Sequence, residues 1–368
     1  MKRALKKSVR MLISLLVVSS LLTGCSGTAA NTKGGYSLKV GMIPGSAARC
    51  GLVVAASELG YYEAEGVDVE FIPIDPATSM SALSSGKIDV YPFAIVPTLT
   101  QIAQGAPYTI VAGTATEGMS LVAGKDDADI DYHEFNNWEG KKIGYVARSC
   151  TVRPLYLELF REKGVDSSLI EWTEFADEQS VLEGLQKGQL NAGFLSQERV
   201  SIAKETGLNE ALQNAEVFPN NVCCRQTAYK ENVENNREAY IKYVRAQLRA
   251  YHDYRDDNAK VLDAVAKYGN FERDYVEQYL NTKSEVDSGT LVQVRNPLTV
   301  DPMLDKVTDL YKAYVSEGLI EETAQVDLKD YVDVSIFNEA INQLVKENPN
   351  DETYKLILEK FKDNNSVI

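Results

Sequence analysis

Histidine is scarce in these 368 residues: His133 lies in a polar stretch and His252 in a helical one. A histidine-based metal set therefore has little to build on. A glycine-rich phosphate loop and a Gly-x-Ser-x-Gly elbow are also missing. No catalytic machinery is visible, no cofactor is expected, and the chain reads as a non-enzyme. Basic residues are outnumbered, 38 Lys and Arg against 53 Asp and Glu, for a net charge of −15. That balance argues against nucleic acid and anionic lipid as partners and says nothing about the fold.

Acidic residues are absent from residues 1–24, which carry Lys2, Arg3, Lys6, Lys7 and Arg10 ahead of the apolar run Met11–Leu22. The run is too short and wrongly flanked for an ordinary membrane span and predicts a secretory signal peptide. It ends in Leu22-Thr23-Gly24-Cys25, which resembles the bacterial lipobox. The resemblance implies cleavage before Cys25, lipidation of that cysteine, and an extracytoplasmic protein anchored to the bacterial cell membrane. Residues 25–36 are small and polar, a flexible tether. Loss of the five basic leader residues takes the net charge from −15 to −20. What remains is longer than one hydrophobic core usually serves, so two lobes are expected.

The stretch Leu83–Gly118 sets the grammar of both lobes. A helix closed by Gly86 leads to a strand over Ile88–Phe93. A helix opened by Pro97 and Thr98 and closed by Gly105 then leads to a strand over Tyr108–Ala112. Such a β-α-β unit predicts a parallel sheet, with ligands beyond the carboxyl ends of its strands. Leu83-x-x-Gly86-x-Ile88-Asp89-Val90 returns as Leu185-x-x-Gly188-x-Leu190-Asn191-Ala192, inside a second series of strands and helices. The polar break at 125–140 separates the two. The strand at 221–229 is expected to return to the first lobe, followed by amphipathic helices. The expected organisation is an α/β clamshell: lobe 1 over 37–122 and 221–335, lobe 2 over 123–220, and a helical tail over 336–368. The last twenty residues are charged and read as a frayed helix.

VGMIPG at 40–45, GYYEAEGVDVEF at 60–71, LSSGKIDV at 83–90, GAPYTIVAG at 105–113 and LKDYVD at 328–333 together resemble one family. It comprises the substrate-binding proteins of ABC importers related to the nitrate, taurine and aliphatic-sulfonate binders and the thiamine-pyrimidine binders. The resemblance implies a type II periplasmic-binding fold with two α/β lobes and a two-stranded hinge that closes on a small molecule. It also implies a permease and its ATPase as partners of a monomeric receptor. The family's motifs belong largely to the scaffold and leave the ligand open: a sulfonate or other organic anion, or a pyrimidine-like molecule. The resemblance extends to a eukaryotic thiamine-pyrimidine synthase that uses a cysteine-rich stretch with iron; the cysteine run here is shorter.

Five loops fall at strand carboxyl ends: Pro44–Cys50, Ala94–Thr98, Gly113–Gly118, Arg148–Arg153 and Ser196–Glu198. Ser46, Thr98, Ser149 and Thr151 are hydroxyls near helix starts, where they either cap the helix or bind an anion. Ile95, Thr114 and Gln197 are expected to line the cleft with them, and Glu117 either receives a cationic group or braces the hinge. Arg49, Arg148, Arg153 and Arg225 are candidate partners for a small anion, or surface ion pairs. Beyond Cys25, four cysteines accompany these arginines: Cys50, Cys150, Cys223 and Cys224. They read as buried free thiols, as disulfides, or as a discontinuous site for a soft metal or organometal. The adjacent pair Cys223–Cys224 would bridge only through a strained ring.

Overall fold

A computed structural model describes residues 35–146, 150–280 and 298–366. Its strands are β1 (Tyr36–Met42), β2 (Val67–Pro73), β3 (Val90–Tyr91), β4 (Tyr108–Thr116), β5 (Met119–Ala123), β6 (Lys142–Tyr145), β7 (Glu171–Glu174), β8 (Ala192–Ser196), β9 (Asn209–Gln213) and β10 (Val222–Tyr229). They form two five-stranded sheets, ordered β2-β1-β3-β10-β4 and β7-β6-β8-β5-β9. The two-lobed α/β architecture expected from the sequence is present.

In the first sheet β1 and β3 run parallel, and β10 enters antiparallel between β3 and β4. β3 is short because Pro92 follows it and has no N–H to give the ladder. The next helix, Ile95–Ala103, opens two residues earlier than Pro97 predicted. Pro97 is tolerated there because first-turn N–H groups have no intrahelical partner anyway. β4 is last in the sheet order, yet all nine of its residues are buried. Bridges from Leu298 and Val332, and a 2.7 Å bond from Gly113 N to the Val300 carbonyl, cover its free edge. The approach is so close that a Cβ at Gly113 would lie 2.3 Å from the Asp301 carbonyl oxygen.

The second sheet contains two strands that the sequence did not reveal, β5 and β9. β5 pairs antiparallel with both β8 and β9. Leu121 and Ala123 face one apolar cluster and Val122 another, so both faces of the sheet are covered. One cluster is aromatic: Trp138 packs on Tyr132, Tyr156, Phe160 and Phe194, and its indole N–H donates to the Tyr132 carbonyl at 2.9 Å.

The chain crosses from the first sheet to the second at Glu117–Gly118 and returns at Asn220–Asn221. The last helices are integral to the first lobe, which corrects both the separate tail and its frayed end. Helix Glu352–Asn364 is capped by Asp351, and Phe361, fully buried, stacks on Phe337 at 4.3 Å. Burial of one such phenylalanine stabilises by roughly 1.5–3 kcal/mol. Among the described residues no helix is long and apolar enough to cross a membrane.

Candidate functional site

The two lobes meet at the helix starts that follow their strands. After β1 the chain turns through Ile43–Cys50, with Ser46 N donating to the Ile43 carbonyl. Ser46 is half-buried, and Arg49 leaves this turn toward the second lobe. Its Nη2 donates to Glu198 Oε2 at 2.9 Å, on helix Gln197–Glu205, 149 residues away. The Glu198 charge holds the Arg49 guanidinium well above its ordinary pKa. At Glu198 burial pushes the carboxyl up, but the charge and hydrogen bond of Arg49 prevail and leave it lowered.

Three thiols surround this pair. Cys50, raised by burial, donates to the Pro92 carbonyl at 3.5 Å. Cys223 and Cys224 lie on β10 with their sulfurs 3.4 Å apart. In a regular strand neighbouring side chains point to opposite faces. Here the register with β4 slips between Val222 and Cys224, and again between Cys224 and Arg225. Cys223 is thus the extra residue of a bulge in β10, and Thr114 the extra residue of one in β4, the next step along. The hydrogen bond between the sulfurs lowers the Cys223 thiol and raises that of Cys224. Tyr279, 4% exposed, interacts electrostatically with Glu198, Arg49 and Cys223, and its hydroxyl has no hydrogen-bond partner among the described residues.

At the hinge Glu117 and Asn220 both adopt left-handed backbone, with φ of 67° and 59°. Glu117 N donates to the Asn221 carbonyl at 2.7 Å, and Asn220 N donates to the Glu117 carboxylate. That carboxyl is 2% exposed, and burial pushes its pKa to about 7, opposed by the Asn220 hydrogen bond and the Lys306 charge. Asn221 Nδ2 donates to Thr151 Oγ1 at 3.4 Å, and the Tyr314 hydroxyl donates to the Cys150 carbonyl at 2.9 Å. Cys150 is buried, which pushes its thiol up to about 11.

Other expected site residues are engaged elsewhere. Arg225, fully buried, donates to the carbonyls of Pro302, Ala115 and Cys224 at 2.8, 3.1 and 2.7 Å. These three bonds brace the first lobe, while Nη2 is buried without a partner among the described residues. Burial lowers its pKa to about 10, against the charge of Asp301. Arg153 turns back over the rings of Tyr145 and Trp172, at 5.1 and 5.3 Å. Gln197 donates to Ser120 Oγ at 2.7 Å, Thr98 bonds Thr227 at 2.8 Å, and Ile95 is core. Thr114 Oγ1 is buried without a partner among the described residues. Cys25, Arg148 and Ser149 lie outside them.

Sequence reasoning named Glu198 only as the end of the Ser196–Glu198 loop, with no role of its own, and did not name Tyr279. In that loop Gln197 was chosen as the lining residue, and Tyr279 carries no local signal, being one tyrosine in an amphipathic helix. The four cysteines do not assemble as one metal set: among the described residues no group of three or more His, Cys, Asp or Glu is arranged to hold a metal ion. A groove of about 340 Å³ lined by Thr109, Lys230, Lys329 and Asp333 lies at the start of β4 and contains none of the expected residues.

Known proteins resemble this chain in two ways. A sequence profile described as NMT1/THI5 like matches residues 49–260. A Candida albicans protein named 4-amino-5-hydroxymethyl-2-methylpyrimidine phosphate synthase is 25% identical over 249 residues, covering 63% of this chain and 70% of that protein. The Saccharomyces cerevisiae synthase THI13 is 28% identical over 143 residues, 39% of this chain and 41% of that protein. The chain therefore spans less than half the length of the yeast relative. In structure it resembles the ligand-binding component of an ABC-type import system from Staphylococcus aureus, with a TM-score of 0.65 and 16% identity over 83% of this chain and 99% of that one. The aliphatic sulphonate binding protein SsuA from Escherichia coli gives 0.60 and 15%, over 80% and 97%. These likenesses establish the periplasmic-binding-protein fold. The synthase names overturn the non-enzyme expectation: the curated relatives are enzymes by name, and scarce histidine does not exclude chemistry on this fold.

Proposed function

We propose, from the premise that this chain belongs to the NMT1/THI5-like family, that it captures a small solute between its lobes and delivers it to an ABC permease. It does so outside the membrane, held there by a lipid on Cys25. Lobe 1 comprises 37–117 with 221–335 and the helices after it; lobe 2 comprises 118–220, because β5 pairs with β8 and β9. The observation behind this reading is the Arg49–Glu198 bond, which joins helix starts of the two lobes at 2.9 Å. A bond of this kind forms on closure and breaks on opening, as hinge capture requires. The solute favoured is a pyrimidine-like heteroaromatic. Of the four candidate arginines, Arg225 and Arg153 are committed elsewhere, which weakens the case for a sulfonate clamp. Arg49, Glu198 and the Tyr279 hydroxyl offer the mixed donors and acceptors that a neutral aminated ring needs.

A thermal-shift panel of pyrimidines, sulfonates, nitrate and carboxylates on the reduced protein tests this. A solute at 100 times its Kd adds about 2.7 kcal/mol, so a pyrimidine is expected to raise the Tm by roughly 5–10 °C. A panel without any shift rejects capture, and a shift with sulfonates alone rejects the pyrimidine.

A second reading follows from the synthase name of the curated relatives: the same cleft forms a pyrimidine phosphate. Its test is a mass-spectrometric search for that product after incubation of the purified protein, against a heat-denatured control.

A further inference from the structure

We propose that Cys223 and Cys224 form a chelating dithiol site for a trivalent, thiophilic centre carrying one substituent of its own, such as an organic arsenic(III) species. The site rests on the capture reading in one respect, that solutes reach the sulfurs when the lobes part.

Two consecutive strand residues ordinarily cannot serve one ligand, because their side chains diverge. The bulge at Cys223 removes that obstacle and brings the sulfurs to 3.4 Å. Bulges next to active sites commonly re-aim a side chain in this way. The separation then selects the chemistry. A disulfide needs about 2.05 Å between sulfurs. An atom bonded to both at about 2.3 Å, the length of a zinc–thiolate bond, spans this gap at a bond angle of about 95°. That narrow angle suits a pyramidal centre with a lone pair. A tetrahedral ion would hold the sulfurs about 3.8 Å apart and require two further ligands. The described residues provide no group of three or more His, Cys, Asp or Glu arranged for a metal ion. A centre whose third bond is to its own substituent requires only the pair.

The surroundings suit such an occupant. The Tyr279 hydroxyl is buried and unpartnered among the described residues, and the side chain interacts electrostatically with Cys223, Arg49 and Glu198. Binding of an R–As=O species balances without an oxidant. Both S–H protons leave, two As–S bonds form, and the As=O oxygen departs as one water while arsenic remains trivalent.

Phenylarsine oxide is the probe. The native, reduced protein should gain one adduct of probe minus water and lose two titratable thiols. A small dithiol should release the adduct and a monothiol should not. Cys223→Ser and Cys224→Ser should each abolish it, whereas Cys50→Ser should keep it. Arg49→Ala, which loosens closure, should speed its formation. A native protein that stays unmodified, or an adduct that survives Cys224→Ser, overturns the site. If a serine variant fails to fold, the count of thiols lost per adduct in wild type decides: one thiol per probe overturns chelation. The pyrimidine thermal shift separates the two readings. An absent adduct with an intact shift removes the dithiol site alone. An adduct in a protein that no organic solute stabilises removes the capture reading alone.

Discussion

Arg49 and Arg225 sit within the same lobe, near the same thiols, and have opposite fates. Arg225 is enclosed by backbone: three carbonyls of β4, β10 and the 298–302 segment accept its protons, and all belong to one lobe. Arg49 has a carboxylate for its partner, and that carboxylate belongs to the other lobe. The first arrangement must persist for the lobe to exist. The second can break and re-form without any loss of fold. An arginine therefore reveals its task by where its acceptors are anchored. Arg153 makes the same point in the second lobe, where neighbouring Tyr145 and Trp172 give its guanidinium an aromatic resting place within its own lobe.

The strongest break in this comparison is Arg225→Ala. It takes the Arg225 charge away from buried Asp301 and removes one donor from each of three carbonyls. The expected cost is about 3–5 kcal/mol, a fall in Tm of roughly 6–20 °C. A Tm within about 2 °C of wild type would show that Arg225 is no brace. Glu117, on the crossover between the two regions, comes next. Its folded pKa is raised from 4.5 to about 7. The protonated form is therefore favoured by folding; its contribution is fully present below pH 4.5 and lost as pH rises through about 7. The loss is on the order of 3 kcal/mol. Urea midpoints at about pH 5 and pH 8 should converge in Glu117→Gln, and an unchanged pH dependence in that variant excludes Glu117 as its source. The smallest stability effect belongs to Arg49→Ala. Its partly exposed ion pair contributes less than about 1 kcal/mol to folding, yet pyrimidine affinity should fall at least about tenfold, or 1.4 kcal/mol. Calorimetry beside a melting curve reads both. A large Tm loss with intact affinity would make Arg49 a second Arg225.

Much of the scaffold was legible because it depends on local chemistry. The helix-ending glycines and the apolar strands at 67–73 and 222–229 announce themselves, as does the return of β10 to the first sheet. β5 and β9 escaped notice: Met-Ser-Leu-Val-Ala is buried on both faces and shows no alternation, and Asn209–Gln213 is a short polar-flanked run. Helix Glu352–Asn364 looked frayed because its surface is charged, while Tyr354, Ile357 and Phe361 give it a buried face at helical spacing. The site was legible as a set of loops and not as a set of contacts. Arg49 and Cys50 could be nominated from the first turn, but the carboxylate that meets Arg49 is 149 residues away. No sequence pattern signals the bulge that aligns Cys223 with Cys224, because a bulge reflects the register of two strands.

The ties around Asp301 carry a consequence for the order in which this molecule is made. Asn365 accepts from Leu304 N and donates to Asp301, whose neighbours support Arg225. The first sheet, begun at residue 36, therefore depends on side chains synthesised more than three hundred residues later. The second sheet draws all its strands from 119–213 and can assemble long before that. During synthesis or export the inserted lobe is thus expected to mature first. The host lobe remains open, its apolar strands in need of shelter, until residues near 365 have emerged.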